Sequence, residues 1–460
     1  MLRASVIVLF CAAVTSSVAT AQNLCPAGVN STKLICMLDQ NIVLSNVVSG
    51  QSVAPFAGDF NGAFSGLNSA IGRQSTLLPS ASPSSGITFA WDAVSKTFVA
   101  TTDSYGPVLT DRAETIGRGR VFIGFSYQHF NFDALDGVNL RNMPVVLTQP
   151  DSVNPNDSSQ MCSLNGDNVG SCGYVRDVIR TNNRIDLTVH QFTTYVSYGL
   201  TNRIDISVAI PIENMHMAIS SDATMVNNSL ANVHAFVSRP DCPDPCLQSS
   251  FLSSQNASGI GDITLRVKGI AWKGERSSLA LGVDVRTPTG DQLNFLGAGA
   301  AGVRPFVNWS YHSRVSPHAV VGYEVNGSSL VAGDPTTGTK ERLPSELTYG
   351  VGADTWLTKR ISAAFDLIGQ EVFQTTRSSV GTFTEPAPCT DSSCTSFASP
   401  NQDQALLLRS ASYNVTSASI GGKVRPLSRL LLTGNILIQL NGNSGLRARY
   451  VPLFGASYTF

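Results

Sequence analysis

The chain has 460 residues, a formal net charge of −1 and only 14% charged side chains, against about 25% in ordinary soluble domains. The near-zero charge suggests neither a nucleic-acid partner nor a basic membrane patch, and no apolar run approaches the roughly 18 residues of a helical span. The length admits two or three soluble domains or one large barrel with loops, and the sparse charge favours a chain that faces lipid outside and polar space inside.

Residues 1–21 read as a signal peptide, with Arg3 as the positive end, Ala4 to Val14 as the apolar core and Ala19-Thr20-Ala21 as the cleavage site. Cys11 falls in that core and would be removed with it. Residues 22–116, rich in Ser, Gly, Asn and Ala, do not alternate like a barrel wall and are expected to form a plug or a periplasmic arm, with room for a small hairpin at Ile87–Asp92 and Thr97–Thr101.

From 117 to 460 the expected element is the transmembrane strand. Arg120–Phe132 sets Val121, Ile123, Phe125 and Tyr127 against Phe122, Gly124, Ser126 and Gln128. Arg184–Tyr198 follows, with a slip of its alternation near His190-Gln191 that suggests a bulge. Ile204–Glu213 alternates cleanly, Ile204, Ile206, Val208, Ile210 and Ile212 against Asp205, Ser207, Ala209, Pro211 and Glu213. Paired strands follow at Asp262–Trp272 with Ser277–Arg286, Val303–Tyr311 with His318–Asn326, Glu346–Trp356 with Ile361–Gln370, and Ser412–Val424 with Leu430–Asn441. The final stretch, Arg447–Phe460, puts Tyr450, Phe454, Tyr458 and Phe460 on one side, and an aromatic-alternating strand ending in Phe resembles the assembly signal of bacterial outer-membrane proteins, with Tyr458 and Phe460 as its residues. The total is about twelve strands (12–14), an even number as single-chain barrels require. Connections near 200, 274, 313, 358 and 427 are tight, whereas 131–183, 214–258, 287–302, 327–345 and 374–411 are long. Short turns on one face and long loops on the other are the outer-membrane layout.

Eight cysteines follow the signal in four close couples, Cys25 with Cys36, Cys162 with Cys172, Cys242 with Cys246 and Cys389 with Cys394. An even count in an exported chain points to disulfides, for which local pairing is the cheapest connectivity. Zinc would need a C-x-x-C pair with further ligands at metal distance, and none is present. Gly297-Ala-Gly299-Ala-Ala-Gly302 matches a dinucleotide fingerprint but has a loop before it and a strand after it, so no helix N-terminus meets a pyrophosphate. The six histidines are scattered and no G-x-S-x-G elbow accompanies them, so no catalytic residues are assigned and the chain is not expected to be an enzyme. His190 would face the lumen beside Asp186. The expected lumen charges are Asp205, Glu213, Asp284, Glu324, Asp354 and Asp366 with Arg266, Lys268, Arg286 and Arg304. Mixed signs facing one another stiffen a wall and set a transverse field rather than an ion-selective filter.

Gly259-Ile-Gly-Asp-Ile-Thr-Leu-Arg-Val-Lys268 and Leu281-Gly-Val-Asp-Val-Arg-Thr-Pro-Thr-Gly-Asp291, with Pro305-Phe306, Val321–Gly327 and the final Val451–Phe460, resemble the outer-membrane family named for the meta pathway of phenol degradation, over roughly residues 117–460. That family is similar to outer-membrane transporters of fatty acids and aromatic hydrocarbons, which implies passive passage of small hydrophobic molecules and an N-terminal plug. The reading is an all-β transmembrane antiparallel barrel, a passive channel for small hydrophobic or aromatic solutes in the outer membrane. Arg266, Lys268, Asp284, Arg286, Arg304 and Asp366 would set its inner field, and the disulfide-tied loops would gate its outer mouth. The alternatives are a general porin and a structural or adhesive barrel acting through its loops. Expected partners are outer-membrane lipid, the barrel-assembly machinery and the solute; no cofactor, metal or nucleic acid is expected.

Overall fold

The computed structural model describes residues 33–37, 44–45, 70–72, 89–92, 97–100, 105–148, 176–228, 235–236, 239–243, 245–334, 338–391, 396–427 and 429–460. The expected signal peptide, Cys25, Cys162, Cys172 and Cys394 lie outside the described residues. Twelve strands make the wall: β1 Val121–Phe132, β2 Val178–Gly199, β3 Ile204–Val226, β4 Thr264–Lys273, β5 Ser277–Arg286, β6 Gly302–Tyr311, β7 Val315–Asn326, β8 Glu346–Thr358, β9 Ile361–Thr384, β10 Gln402–Leu427, β11 Leu430–Gln439 and β12 Tyr450–Thr459. Each pairs antiparallel with its neighbour in sequence, and β12 pairs with β1 from Leu453↔Gln128 to Thr459↔Phe122. The twelve strands therefore close into a barrel.

Period-two side chains explain why the closed sheet belongs in lipid. On β3 Ile204, Ile206 and Ile212 are 37%, 41% and 50% exposed, while Asp205 and Glu213 next to them are each 3% exposed. The same sorting puts Leu265, Val267, Leu281, Val303, Val321, Val351, Phe365, Ile420 and Ile436 outside. In water that surface would be a large aggregation patch; against hydrocarbon it is the lining the bilayer requires. Tyr198, Trp272, Trp309, Tyr458 and Phe460 lie outside toward the short-turn end, and Phe192, Tyr323 and Tyr450 outside toward the other. These are the two girdles of a membrane barrel. Among the described residues no helix is long and apolar enough to cross a membrane, so the strands do the crossing. The protein is a bacterial outer-membrane β-barrel.

Two sequence expectations are corrected here. In the stretches 131–183, 214–258 and 374–411, expected as long loops, most of the described residues are strand. β2 already starts at Val178, β3 runs to Val226, Gln248–Ile260 pairs with β3 from Thr224 to Ile212, and β9 pairs with β10 as far as Thr384↔Gln402. At 22 to 26 residues, β2, β3, β9 and β10 are about twice as long as the roughly 9–11 residues that span a bilayer. Their outer halves continue the ladder beyond the lipid. Secondly, β2 has no bulge at His190-Gln191: it pairs without a register shift with both β1 and β3.

On the long-loop side, inward residues of the extended strands and residues of the connections form one apolar core. Leu140, Met143, Leu147, Ile185, Leu187, Met215, Met217, Phe295 and Leu330 are buried in it, and Leu34–Met37 and Ile71 of the N-terminal segment pack into the same core. Lys33 ties that segment to the loop through Asp291 at 2.7 Å. Cys242 and Cys246 form a disulfide in the connection after β3, and Cys36 and Cys389 each belong to a disulfide as well.

Candidate functional site

Register decides which inward charges meet. Arg266 on β4 lies opposite Asp284 on β5, which lies opposite Arg304 on β6. Arg266 grips Asp284 with two bonds of 2.6 and 2.9 Å, and Arg304 donates to the same carboxylate from Nε at 3.1 Å. Both guanidiniums stand over the Phe306 ring, at 4.9 and 5.8 Å from its centre. The ring finds room because its cross-strand partner is Gly282, where a Cβ would lie 2.2 Å from Phe306 Cζ.

One position farther out, Arg286 donates to Asp262 (2.9 Å), Glu324 (3.1 Å) and Asn326 (2.6 Å). Asp262 in turn accepts from the backbone N–H groups of Gly290 and Ala298 at 3.0 and 2.8 Å. The glycine run 297–302 is thus a loop folded onto a carboxylate, with Gly299 at φ +66°, and holds no nucleotide geometry.

The segment Tyr105–Ile116, just before β1, runs across the inner wall and is bonded at nearly every residue. Lys423 of β10 donates to the carbonyls of Tyr105 (3.0 Å) and Pro107 (2.6 Å). Thr110 donates to Asp366 of β9 at 2.7 Å, and Arg112 pairs with Asp354 of β8. The N–H of Ala113 donates to Ser310 of β6 at 2.7 Å, and that of Ile116 to Asp205 of β3 at 2.9 Å. Asp111 accepts from Arg266 (3.1 Å), Lys268 (3.3 Å) and Asn308 (3.0 Å). The segment forms a strap from β10 to β3 at the level of the inward charges. His318 of β7 sits behind it, 2.7 Å from Asp366 and 3.4 Å from Asp354. Gly352 leaves the space for that contact, since a Cβ there would be 2.2 Å from Asp366 Oδ1.

Above the strap the lumen widens into a cavity of about 310 Å³, with Leu109, Thr110 and Asp111 at its floor. One wall carries Arg266, Asp284, Arg286, Arg304 and Glu324; the facing wall, from β9 round to β1, carries Ile368, Val415, Leu437, Val451, Phe130 and Phe132. Phe130, Phe132, Leu437 and Val451 also belong to the apolar core of the outer side, so that wall continues into it.

Of the residues singled out in the sequence, Lys268, Asp284, Arg286 and Asp366 are buried on the inner face, and Arg266 and Arg304 line the cavity. His190 is on the outer face, correcting the expectation of a lumen position: Gln191 points in, and His190 packs against His129, their ring centres 4.5 Å apart. The sequence does not single out Lys423, His318 or Asp111 as functional residues. Lys423 and His318 lay at alternating positions already read as strand, whereas Asp111 lies in a stretch without period. Its only signal was three charges, Asp111, Arg112 and Glu114, just ahead of the first wall strand.

The family model described as MetA-pathway of phenol degradation matches residues 177–403, from β2 to the start of β10, which bears out the resemblance read from the sequence. No curated protein matches the chain. Among solved structures the chain is similar to an outer membrane channel from Pseudomonas putida F1, with 13% identity over 76% of this chain and 98% of that one and a TM-score of 0.41. It is similar to a FadL homologue of Pseudomonas aeruginosa, with 10% identity, 74% and 90% covered and a TM-score of 0.31. A third is the Ralstonia pickettii toluene transporter TbuX, with 10% identity, 79% and 100% covered and a TM-score of 0.27.

Proposed function

We propose that the protein is a passive outer-membrane channel for small hydrophobic or aromatic solutes, and that residues 22–116 supply its plug, of which the strap is the last part. The observation that carries this reading is the cavity. At about 310 Å³ it sits at the small end of ligand sites, which run from ~300 to ~1,000 Å³. Its apolar wall runs on into the outer core, so a hydrophobic solute would travel along one face without leaving apolar contact.

In this reading Arg266, Lys268, Asp284, Arg286, Arg304 and Asp366 hold the wall and the strap in register rather than select ions. Their charges are paired with one another, with the strap and with neighbouring side chains, so the lumen carries little net field. Tyr458 and Phe460 serve assembly of the barrel, and the disulfide-tied connections restrain the outer mouth. No cofactor is required, because the solute moves down its gradient.

Uptake of labelled aromatic compounds by cells carrying the chain in their outer membrane, set beside liposome swelling in a sugar, tests the proposal. Faster aromatic uptake with little swelling is the expected outcome. Rapid swelling would make the protein a general porin, and no effect in either assay would make it a structural barrel.

A further inference from the structure

We propose that Asp111 is an internal stand-in for the anionic group of a solute, and that an amphiphile with an apolar body and a carboxylate displaces it and frees the middle of the strap. The inference rests on the channel reading above and deepens it by naming the solute class.

Asp111 is the one ionisable strap side chain that lines the cavity. Its carboxylate accepts from a guanidinium, an ammonium and an amide, Arg266 at 3.1 Å, Lys268 at 3.3 Å and Asn308 at 3.0 Å. All three donors belong to the wall; only the acceptor belongs to the strap. Charge-assisted donors grouped in this way suit any carboxylate of similar size. The charges also require an occupant. Asp111, Arg266, Asp284 and Arg304 form a ladder of two acids and two bases, and withdrawing Asp111 leaves it with one excess positive charge, beside Lys268. A buried uncompensated charge is costly, so Asp111 leaves only in exchange for another anion.

The geometry across the cavity fixes the rest of the ligand. Ile368, Val415, Leu437, Val451, Phe130 and Phe132 face the charged wall, so an acid seated in the cradle would rest its hydrocarbon part on them. Phe306, beneath the two guanidiniums, offers a second aromatic surface beside the carboxylate. A neutral molecule of the same shape would fill the apolar half and leave Asp111 where it is.

Hydrogen–deuterium exchange of residues 105–116 in the full-length, detergent-folded chain tests this, with sodium benzoate, benzyl alcohol and sodium chloride as probes at equal ionic strength. Benzoate is expected to speed exchange across the strap about tenfold, the scale of one lost charge-assisted bond. Benzyl alcohol and chloride should leave it unchanged. D111N should exchange fast without ligand and respond no further to benzoate, whereas D111E should keep the benzoate response. An unchanged strap with benzoate, or the same response to benzyl alcohol or chloride, overturns the proposal. The wild-type comparison decides the matter even if D111N fails to fold, as a heat-modifiability gel would reveal. A strap that responds to benzoate in a chain that conducts no solute would instead sink the channel reading and leave the cradle standing.

Discussion

At the scale of single residues the barrel interior depends on positions whose partner lies on another strand. Gly282 is the clearest case: its missing side chain is the space that Phe306 fills under Arg266 and Arg304. Gly282→Ala is expected to push the ring off this platform at about 1–3 kcal/mol of stability, read by unfolding of the refolded barrel in detergent. The double variant with Phe306→Leu should recover most of the loss. The sequence marks Gly282 as inward, but only the β5–β6 register says which ring it serves. A second residue-scale expectation concerns acid. Glu385, beyond the end of β9, is buried, which works against its charge, yet Arg180 donates to both its oxygens at 2.8 and 3.0 Å, and the carboxyl is held below its usual range. A lowered carboxyl contributes stability that is whole above its unfolded pKa and is lost as pH falls through the lowered value. The connection between β9 and β10 should therefore become sensitive to protease only as the pH falls below the usual carboxylate range, and Glu385→Gln should remove that acid dependence.

At the scale of the element, β3 shows why strand existence was legible and strand length was not. From Ile204 to Ile212 the apolar residues face out. Beyond that point Met215, Met217 and Ile219 are buried on the inner face, while Asn214, His216 and Ser220 face out. The backbone keeps its register throughout, but the hydrophobic phase inverts where lipid ends. Read from sequence, the inversion looks like the end of a strand in β3 and like a bulge at His190-Gln191 in β2. An arginine scan along the outer face of β3 should locate the boundary. Ile206→Arg is expected to cost about 2–4 kcal/mol in lipid vesicles, and Ser220→Arg no more than about 0.5 kcal/mol; equal costs at the two sites would place both in one environment. The strap shows the opposite limit. Tyr105–Ile116 has no period of its own, because each residue is matched to a different strand, and such matching is legible only once the barrel is closed.

For the whole molecule the number of strands was legible because alternation and the sorting of tight turns from long connections are properties of the entire chain. The interior was not, since a lumen can be filled or open with the same outer pattern. The strap bonds predict a channel that is nearly closed at rest. In planar bilayers the wild-type chain should give small or rare openings. A variant with Thr110, Asp111 and Arg112 all changed to alanine, which takes the strap's side chains off β9, β8 and β4, should conduct several-fold more. Equal currents from the two would mean that the strap does not limit flow. The seam between β12 and β1 has a further consequence. Until Tyr450–Thr459 come into place, β1 and β11 are two raw rims of an unfinished trough, greasy on one side and studded with unmet amides along both borders. A product clipped before that last strand would not be a slightly smaller pore; it would zip onto its siblings and precipitate.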